Sequence, residues 1–394
     1  MYARLLSVVL LLGSGLMAQD AYLHHFYGNE SFFNPAFTGQ SGALRVGVNH
    51  RAQWGAATAP AYVSQKVVFE ESLPCLFFDY GLFARRDEEG AGKLVTSEAG
   101  GSVAFALPIR WKGQDRYDGM DLRMGGSLSV GQRRIDFSAL TFLDQIDPFF
   151  GLVDANDVPN PTGFVPPAGM GDSPAYTTGA IGFSLKGGLR ARSAHPINFD
   201  VGAAVHNPGF FTGPDSRQTA SLLGLDNALG RRIVLTGRAD YVLRFNRYYS
   251  WSVRPSTVYQ SQDGLSYFEG GVAVNRSQVL TLGAYYHTAR PAGVGRNVSW
   301  TSLRLEIGDR IGNTQTRFDL GVSYALQNGF LKNYVRPPLE ISAVFSFGKS
   351  VTCGLVTGDS SKGWMSKENK TACANFLKGT RRIYDNIWYK YTPW

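Results

Sequence analysis

From Leu44 onward, apolar residues alternate with polar or small ones at period two, segment after segment. In one segment Ile197, Phe199, Val201, Ala203 and Val205 are apolar, while Asn198, Asp200, Gly202, Ala204 and His206 are polar or small. Phe318, Leu320, Val322 and Tyr324 interleave with Arg317, Asp319, Gly321 and Ser323; Leu339, Ile341, Ala343, Phe345 and Phe347 interleave with Glu340, Ser342, Val344 and Ser346. Leu122, Met124, Leu128 and Val130 do the same with Arg123, Ser127 and Ser129. Successive side chains point to opposite faces only in an extended strand, so each segment reads as a strand with one greasy face. A soluble sandwich alternates too, but its strands average roughly 5–6 residues. About fourteen segments here approach the ~9–11 residues that a tilted strand needs to cross a bilayer. They begin near Leu44, Ala61, Leu76, Leu94, Met120, Thr177, Ile197, Arg231, Tyr248, Leu265, Val279, Val298, Thr314 and Leu339. The pattern predicts an all-β, transmembrane antiparallel β-barrel.

The start of the chain predicts the compartment. Arg4, the apolar run Leu5 to Leu12 and the small-residue stretch Gly13 to Ala18 have the form of a secretory signal peptide, cut between Ala18 and Gln19. The apolar run is too short to serve as a retained anchor. With a periplasmic N-terminus, odd-numbered connections face the exterior and run long, and even-numbered ones are tight. The two longest connections, Arg133 to Tyr176 and Asn207 to Gly230, fall in the odd set together with Gln327 to Pro338. Glu71–Pro74, Arg190–Pro196, Phe245–Arg247 and Asn275–Ser277 fall in the even set and are short. Trp54, Tyr80, Trp251, Tyr286 and Tyr324 stand where an interfacial aromatic girdle would. The predicted organisation is a signal peptide at 1–18, a plug segment at 19–43 in the lumen or its periplasmic mouth, a barrel at 44–348 and a periplasmic extension at 349–394.

If the greasy set faces lipid, the ionic set faces inward. That set contains Arg45, Arg51, Asp79, Arg85, Arg123, Asp200, Arg238, Asp240, Arg254, Glu269, Arg304, Glu306, Arg317, Asp319 and Glu340, with nearly balanced signs. Such a lining predicts ion-pair ladders that fill or narrow the barrel, and it offers no apolar lane for a hydrophobic solute. The net charge of +8 comes without a basic run interleaved with aromatics, so nucleic acid is not predicted as a partner. An anionic lipid surface or an acidic protein fits better. Cys353 and Cys373 share the C-terminal extension and can pair, leaving Cys75 free; three reduced thiols are the alternative. His24, His25, His195, His206 and His287 offer bases, but no Gly-x-Ser-x-Gly nucleophile elbow accompanies them, and no catalytic residue is assigned. Asp154, Asn156 and Asp157 carry oxygen donors close together, but a solvated polar loop accounts for them more simply than calcium. The His24-His25 pair is an equally weak metal signal, so neither metal nor cofactor is predicted.

Two N-terminal motifs add a resemblance. Phe32-Phe33-Asn34-Pro35-Ala36-Phe37-Thr38-Gly39, followed by Arg51-Ala52-Gln53-Trp54, resembles the PorP/SprF family, which shows Asn-Pro-Ala-Tyr-Ala-Gly and then Arg-x-Gln-Trp. Phe37 and Thr38 depart from the usual Tyr and Ala. Leu282-Gly283-Ala284-Tyr285-Tyr286 and Pro338-Leu339-Glu340-Ile341-Ser342 are similar to late strands of that family. The resemblance implies a non-catalytic outer-membrane barrel of the type IX secretion system. Its implied partners are the C-terminal sorting domain of a secreted adhesin, gliding adhesins included, or other components of the secretion system. The motif residues it implicates are Asn34, Pro35, Ala36, Gly39, Arg51, Gln53 and Trp54. The Asn-Pro-Ala turn is also similar to the N-terminal hatch of FadL-like barrels, which implies a lumen plug and fourteen strands. That likeness keeps one alternative open, a channel for small hydrophobic solutes; a structural link from the barrel to the periplasmic secretion ring, through the C-terminal tail, is another.

Overall fold

A computed structural model describes residues 30–40, 44–53, 62–73, 78–90, 93–109, 119–165, 172, 175–189, 197–208, 230–245, 250–262, 265–276, 279–290, 297–311, 316–327 and 337–347. Residues 1–18, read above as a signal peptide, His24, His25, Trp54, His195, all three cysteines and residues 349–394 lie outside the described residues.

Fourteen strands follow one another: β1 Leu44–Gln53, β2 Tyr62–Glu71, β3 Phe78–Glu89, β4 Leu94–Ile109, β5 Gly119–Arg134, β6 Tyr176–Leu189 and β7 Ile197–His206. The second half is β8 Arg232–Phe245, β9 Ser250–Gln262, β10 Leu265–Arg276, β11 Leu280–Arg290, β12 Val298–Arg310, β13 Arg317–Gln327 and β14 Leu339–Ser346. Each pairs antiparallel with its sequence neighbours, and β1 pairs with β14 from Arg45↔Ser346 to Ala52↔Leu339, closing the barrel. The predicted strand count and starting points are borne out. Several strands are longer than predicted: β4 and β5 have 16 residues each. Their length exceeds the span a bilayer requires.

Alternation fixes which face is which. Val67, Leu82, Val130, Val201, Leu282, Leu303, Leu320 and Ile341 are exposed on the outer face, whereas Lys66, Asp79, Arg123, Asp200, Glu269, Arg304 and Glu340 are buried inside. An apolar outer ring of this extent has no counterpart on a water-soluble monomer and suits hydrocarbon. Tyr80, Trp251, Tyr286 and Tyr324 alternate in step with the apolar set, which puts them on the outer face.

The lumen is held by ion pairs between strands that are adjacent or one apart in the ladder. Arg238 Nη2 lies 2.9 Å from Asp200 Oδ2, Arg123 Nη2 lies 2.8 Å from Asp79 Oδ2, and Arg304 pairs with Glu269. Burying a charge is costly unless a partner neutralises it, and barrel register supplies partners from neighbouring strands: Asp200 faces Arg238 directly across β7–β8. Val201, midway along β7, sets the matching test of the outer face. Val201→Arg is expected to lower stability in lipid vesicles by roughly 2–4 kcal/mol, with Val201→Leu near wild type, as read by denaturant titration. Equal stability of the two variants would place that residue away from hydrocarbon.

Candidate functional site

Residues 30–40 run through the lumen as a short helix α1, Glu30–Phe33, and a 3-10 turn, Pro35–Phe37. Asn34 starts the turn: its Oδ1 accepts the Ala36 N–H at 2.9 Å, and Pro35 fits the first turn position, where no N–H is needed. The other side of the Asn34 amide reaches the wall, where Nδ2 donates to the carbonyls of Phe183 (2.9 Å) and Ala203 (3.3 Å). Arg123 donates to the carbonyls of Ala36 and Thr38 at 2.8 and 2.6 Å, and Thr38 Oγ1 donates to Ser102 Oγ at 2.8 Å. Glu30 pairs with Arg238 at 2.5 Å, and Gln40 donates to Asp200. Phe33 and Phe37 pack on Ala204, Val234 and Val258, which form a small apolar core inside the barrel.

Three glycines make room for this segment. A Cβ on Gly182 would meet Asn34 Oδ1 at 1.9 Å, one on Gly125 would meet the Pro35 carbonyl at 2.4 Å, and one on Gly202 would meet Asn34 Nδ2 at 2.7 Å. Gly39 has φ +68°, and a Cβ there would lie 2.4 Å from Asp79 Cβ, so both backbone and space require glycine. The structure therefore brings Asn34, Pro35, Ala36 and Gly39 together against the wall. Arg51 and Gln53 stand on β1, where Arg51 Nη2 donates to Gln53 Oε1 at 2.5 Å.

Next to the plug, on the side of the long connections, is a recess of about 980 Å³, its open mouth included. It is lined by Phe32 of the plug, by Lys66, Arg85, Arg133 and Arg232, and by Asp87, Glu89 and Glu98. Arg85 Nη2 pairs with Glu98 Oε2 at 2.6 Å, and Ser129 Oγ donates to the other oxygen of Glu98 at 2.5 Å. His206 and Arg232 meet at 3.0 Å, and His206 Nε2 lies 3.1 Å from the Phe33 carbonyl.

The connection from β5 to β6 is internally organised over residues 135–165. Asn160 Nδ2 donates to the carbonyls of Gln145, Gly151 and Val153, between 2.9 and 3.3 Å, and the Phe142 and Phe164 rings stack at 4.3 Å. Asp144 accepts the Gly163 N–H at 2.6 Å. The Asp154 carboxylate accepts the N–H groups of Val158 and Asn156, bonds that hold its pKa below the usual carboxylate value. Ser138 does the same to Asp136. The residues weighed for calcium thus build a turn, and among the described residues no three His, Cys, Asp or Glu converge on a metal-sized site. Although ordered, this segment leaves Phe149 90%, Leu143 87% and Val165 81% exposed.

One Ser–His contact in the structure was not legible in the sequence. A serine does stand beside a histidine: Ser302 Oγ lies 2.6 Å from His287 Nε2, and Glu269 Oε2 lies 3.5 Å from Nδ1. The connectivity is that of an acyl-transfer triad. Ser302 and His287 are both 0% exposed, Trp300 stacks on the imidazole at 5.2 Å, and the Tyr267 hydroxyl occupies Nδ1, so no substrate reaches Oγ. Cross-strand register in β10–β12, not sequence spacing, creates the contact, and no motif announces it.

A family model described as "Type IX secretion system membrane protein PorP/SprF" matches residues 16–345. No curated protein matches the chain. Solved structures that are similar include the CymD monoaromatic hydrocarbon channel, at 12% identity and TM-score 0.36, covering 81% of this chain and 91% of that one. The TodX toluene transporter of Pseudomonas putida follows at 13% identity and 0.32, covering 84% and 95%. A FadL homologue of Pseudomonas aeruginosa gives 12% and 0.35, covering 81% and 92%. Scores this low carry no argument about cargo, and the barrel rests on its own strand ladders.

The glycine contacts yield a test of the plug. Gly125→Ala and Gly182→Ala each place a methyl group where the Asn34-Pro35 turn lies, and both are expected to dislodge residues 30–40 while the barrel stays closed. Limited proteolysis of the detergent-solubilised protein should then cut within the segment, with heat-modifiable migration retained. Cleavage no faster than wild type would mean that the turn yields in place.

Proposed function

The chain belongs to the PorP/SprF family of type IX secretion system membrane proteins, and on that premise we propose that it docks secreted proteins at the outer surface of the outer membrane. The docked element is the C-terminal sorting domain of a secreted protein such as an adhesin, gliding adhesins included, and the barrel contributes no catalysis. Other components of the secretion system are further partners, and outer-membrane lipid surrounds the apolar ring. The reading divides the chain into a cleaved signal peptide (1–18), a plug segment (19–43), a barrel (44–348) and a periplasmic extension (349–394). In it, Asn34, Pro35, Ala36 and Gly39 set the plug, Arg51 and Gln53 stiffen the exterior end of β1, and Trp54 completes the second family motif outside the described residues.

The observation that carries this reading is the organised connection over 135–165, which holds Leu143, Phe149 and Val165 in water. Apolar side chains on a scaffold tied down by Asn160, Asp144 and Asp154 are preorganised for a partner, since a surface already in shape loses little entropy on binding. A channel for small hydrophobic solutes is the competing reading. It is disfavoured by the described lumen, where Val234 and Val258 pack against Phe33 and Phe37 of the plug.

In the producing bacterium, a tagged Phe149→Asp/Val165→Asp barrel is expected to recover at least about tenfold less secreted protein than wild type, at equal barrel abundance. Undiminished copurification of those proteins would remove the loop, and with it this reading, from consideration.

A further inference from the structure

We propose that the recess beside the plug is a binding site for a carboxylate presented from the exterior. Three cations converge on one aromatic ring at its floor. Lys66 Nζ lies 4.9 Å, the Arg232 guanidinium 4.8 Å and the Arg85 guanidinium 5.5 Å from the centre of the Phe32 ring. Lys66 and Arg85 are direct cross-strand neighbours on the inner face, an arrangement that like charges disfavour. Of the nearby carboxylates, Glu98 and Asp87 both lie within pairing distance of Arg85, and Glu70, whose charge also acts on Lys66, pairs with Arg45 at 3.6 Å. Lys66 is 3% exposed, and its ammonium has no hydrogen-bond partner among the described residues. A buried ammonium without an acceptor is costly, and an incoming oxyanion supplies both the charge and the lone pairs.

The charge balance selects the ligand. Lys66, Arg85, Arg133 and Arg232 share the lining with Asp87, Glu89 and Glu98, so the recess suits a group of one negative charge rather than a phosphate-like dianion. A carboxylate carries that single charge, and the ring of Phe32 and its neighbours Tyr62 and Tyr176 can flank its apolar stem. The carboxylate can belong to an acidic peptide segment or to a free organic acid. This site is separate from the 135–165 loop, and the docking reading can fail without it.

The test uses the full-length barrel in detergent, titrated with a pentaglutamate peptide, a pentaglutamine peptide and acetate. The pentaglutamate peptide is expected to bind saturably and the pentaglutamine peptide not at all. Lys66→Met should weaken binding by at least about tenfold, and so should Thr96→Glu, which adds an anion at a half-exposed lining position opposite Asp87. Displacement of the peptide by millimolar acetate would place recognition in a free acid. Resistance to acetate would place it in the peptide that bears the group; either result supports a carboxylate site. Equal binding of the two peptides, or full affinity in Thr96→Glu together with a folded Lys66→Met, overturns the proposal.

Discussion

Hydrocarbon offers a peptide group no hydrogen-bond partner, and this constraint governs the rest of the molecule. It forbids a free strand edge, so the ladder between β1 and β14 is a condition of the fold rather than one pairing among many. Closure over fourteen strands leaves a ring wider than wall side chains alone can fill. The interior must then be either water-filled or packed with additional chain, and residues 30–40 supply part of that packing. Because the inner face is polar by alternation, the filling is held by ions and amides: Glu30 to Arg238, Gln40 to Asp200, Arg123 to the plug carbonyls.

The parts of this arrangement that were legible in the sequence follow from periodicity. Alternation marks each strand independently, so the number of strands, their starts and the inward ionic set could be read without knowing any partner. What alternation does not carry is register. That Asp200 meets Arg238, or that Ser302 meets His287, depends on how each strand slides against its neighbour, and a one-residue slip would exchange every face. The Asn34-Pro35-Ala36 motif was legible as a turn, but its wall contacts were not. Gly125, Gly182 and Gly202 lie on three separate strands, and nothing links them to Asn34 until the strands stand side by side. The converging cations on Phe32 were hidden for the same reason.

On the side of the long connections, two surfaces of different character arise from one architectural fact. Strands β4 and β5 continue past the span that a bilayer requires. Their upper residues, among them Glu98 and Ser129, wall the charged recess, and β5 also carries the connection that displays Phe149 to solvent. Small-residue turns and side-chain caps keep that connection in shape without a metal or a disulfide among the described residues.

The reach of the plug's bonds also sets an order of events during assembly. Asn34 bonds to a residue 149 positions along the chain, and Arg238 lies 208 positions from its partner Glu30. Contacts this remote in sequence form late. The N-terminal stretch, although synthesised first, has no seat until β5 to β8 stand side by side. Its phenylalanines must therefore wait for those strands, although the β1–β14 ladder that closes the pore joins residues farther apart still.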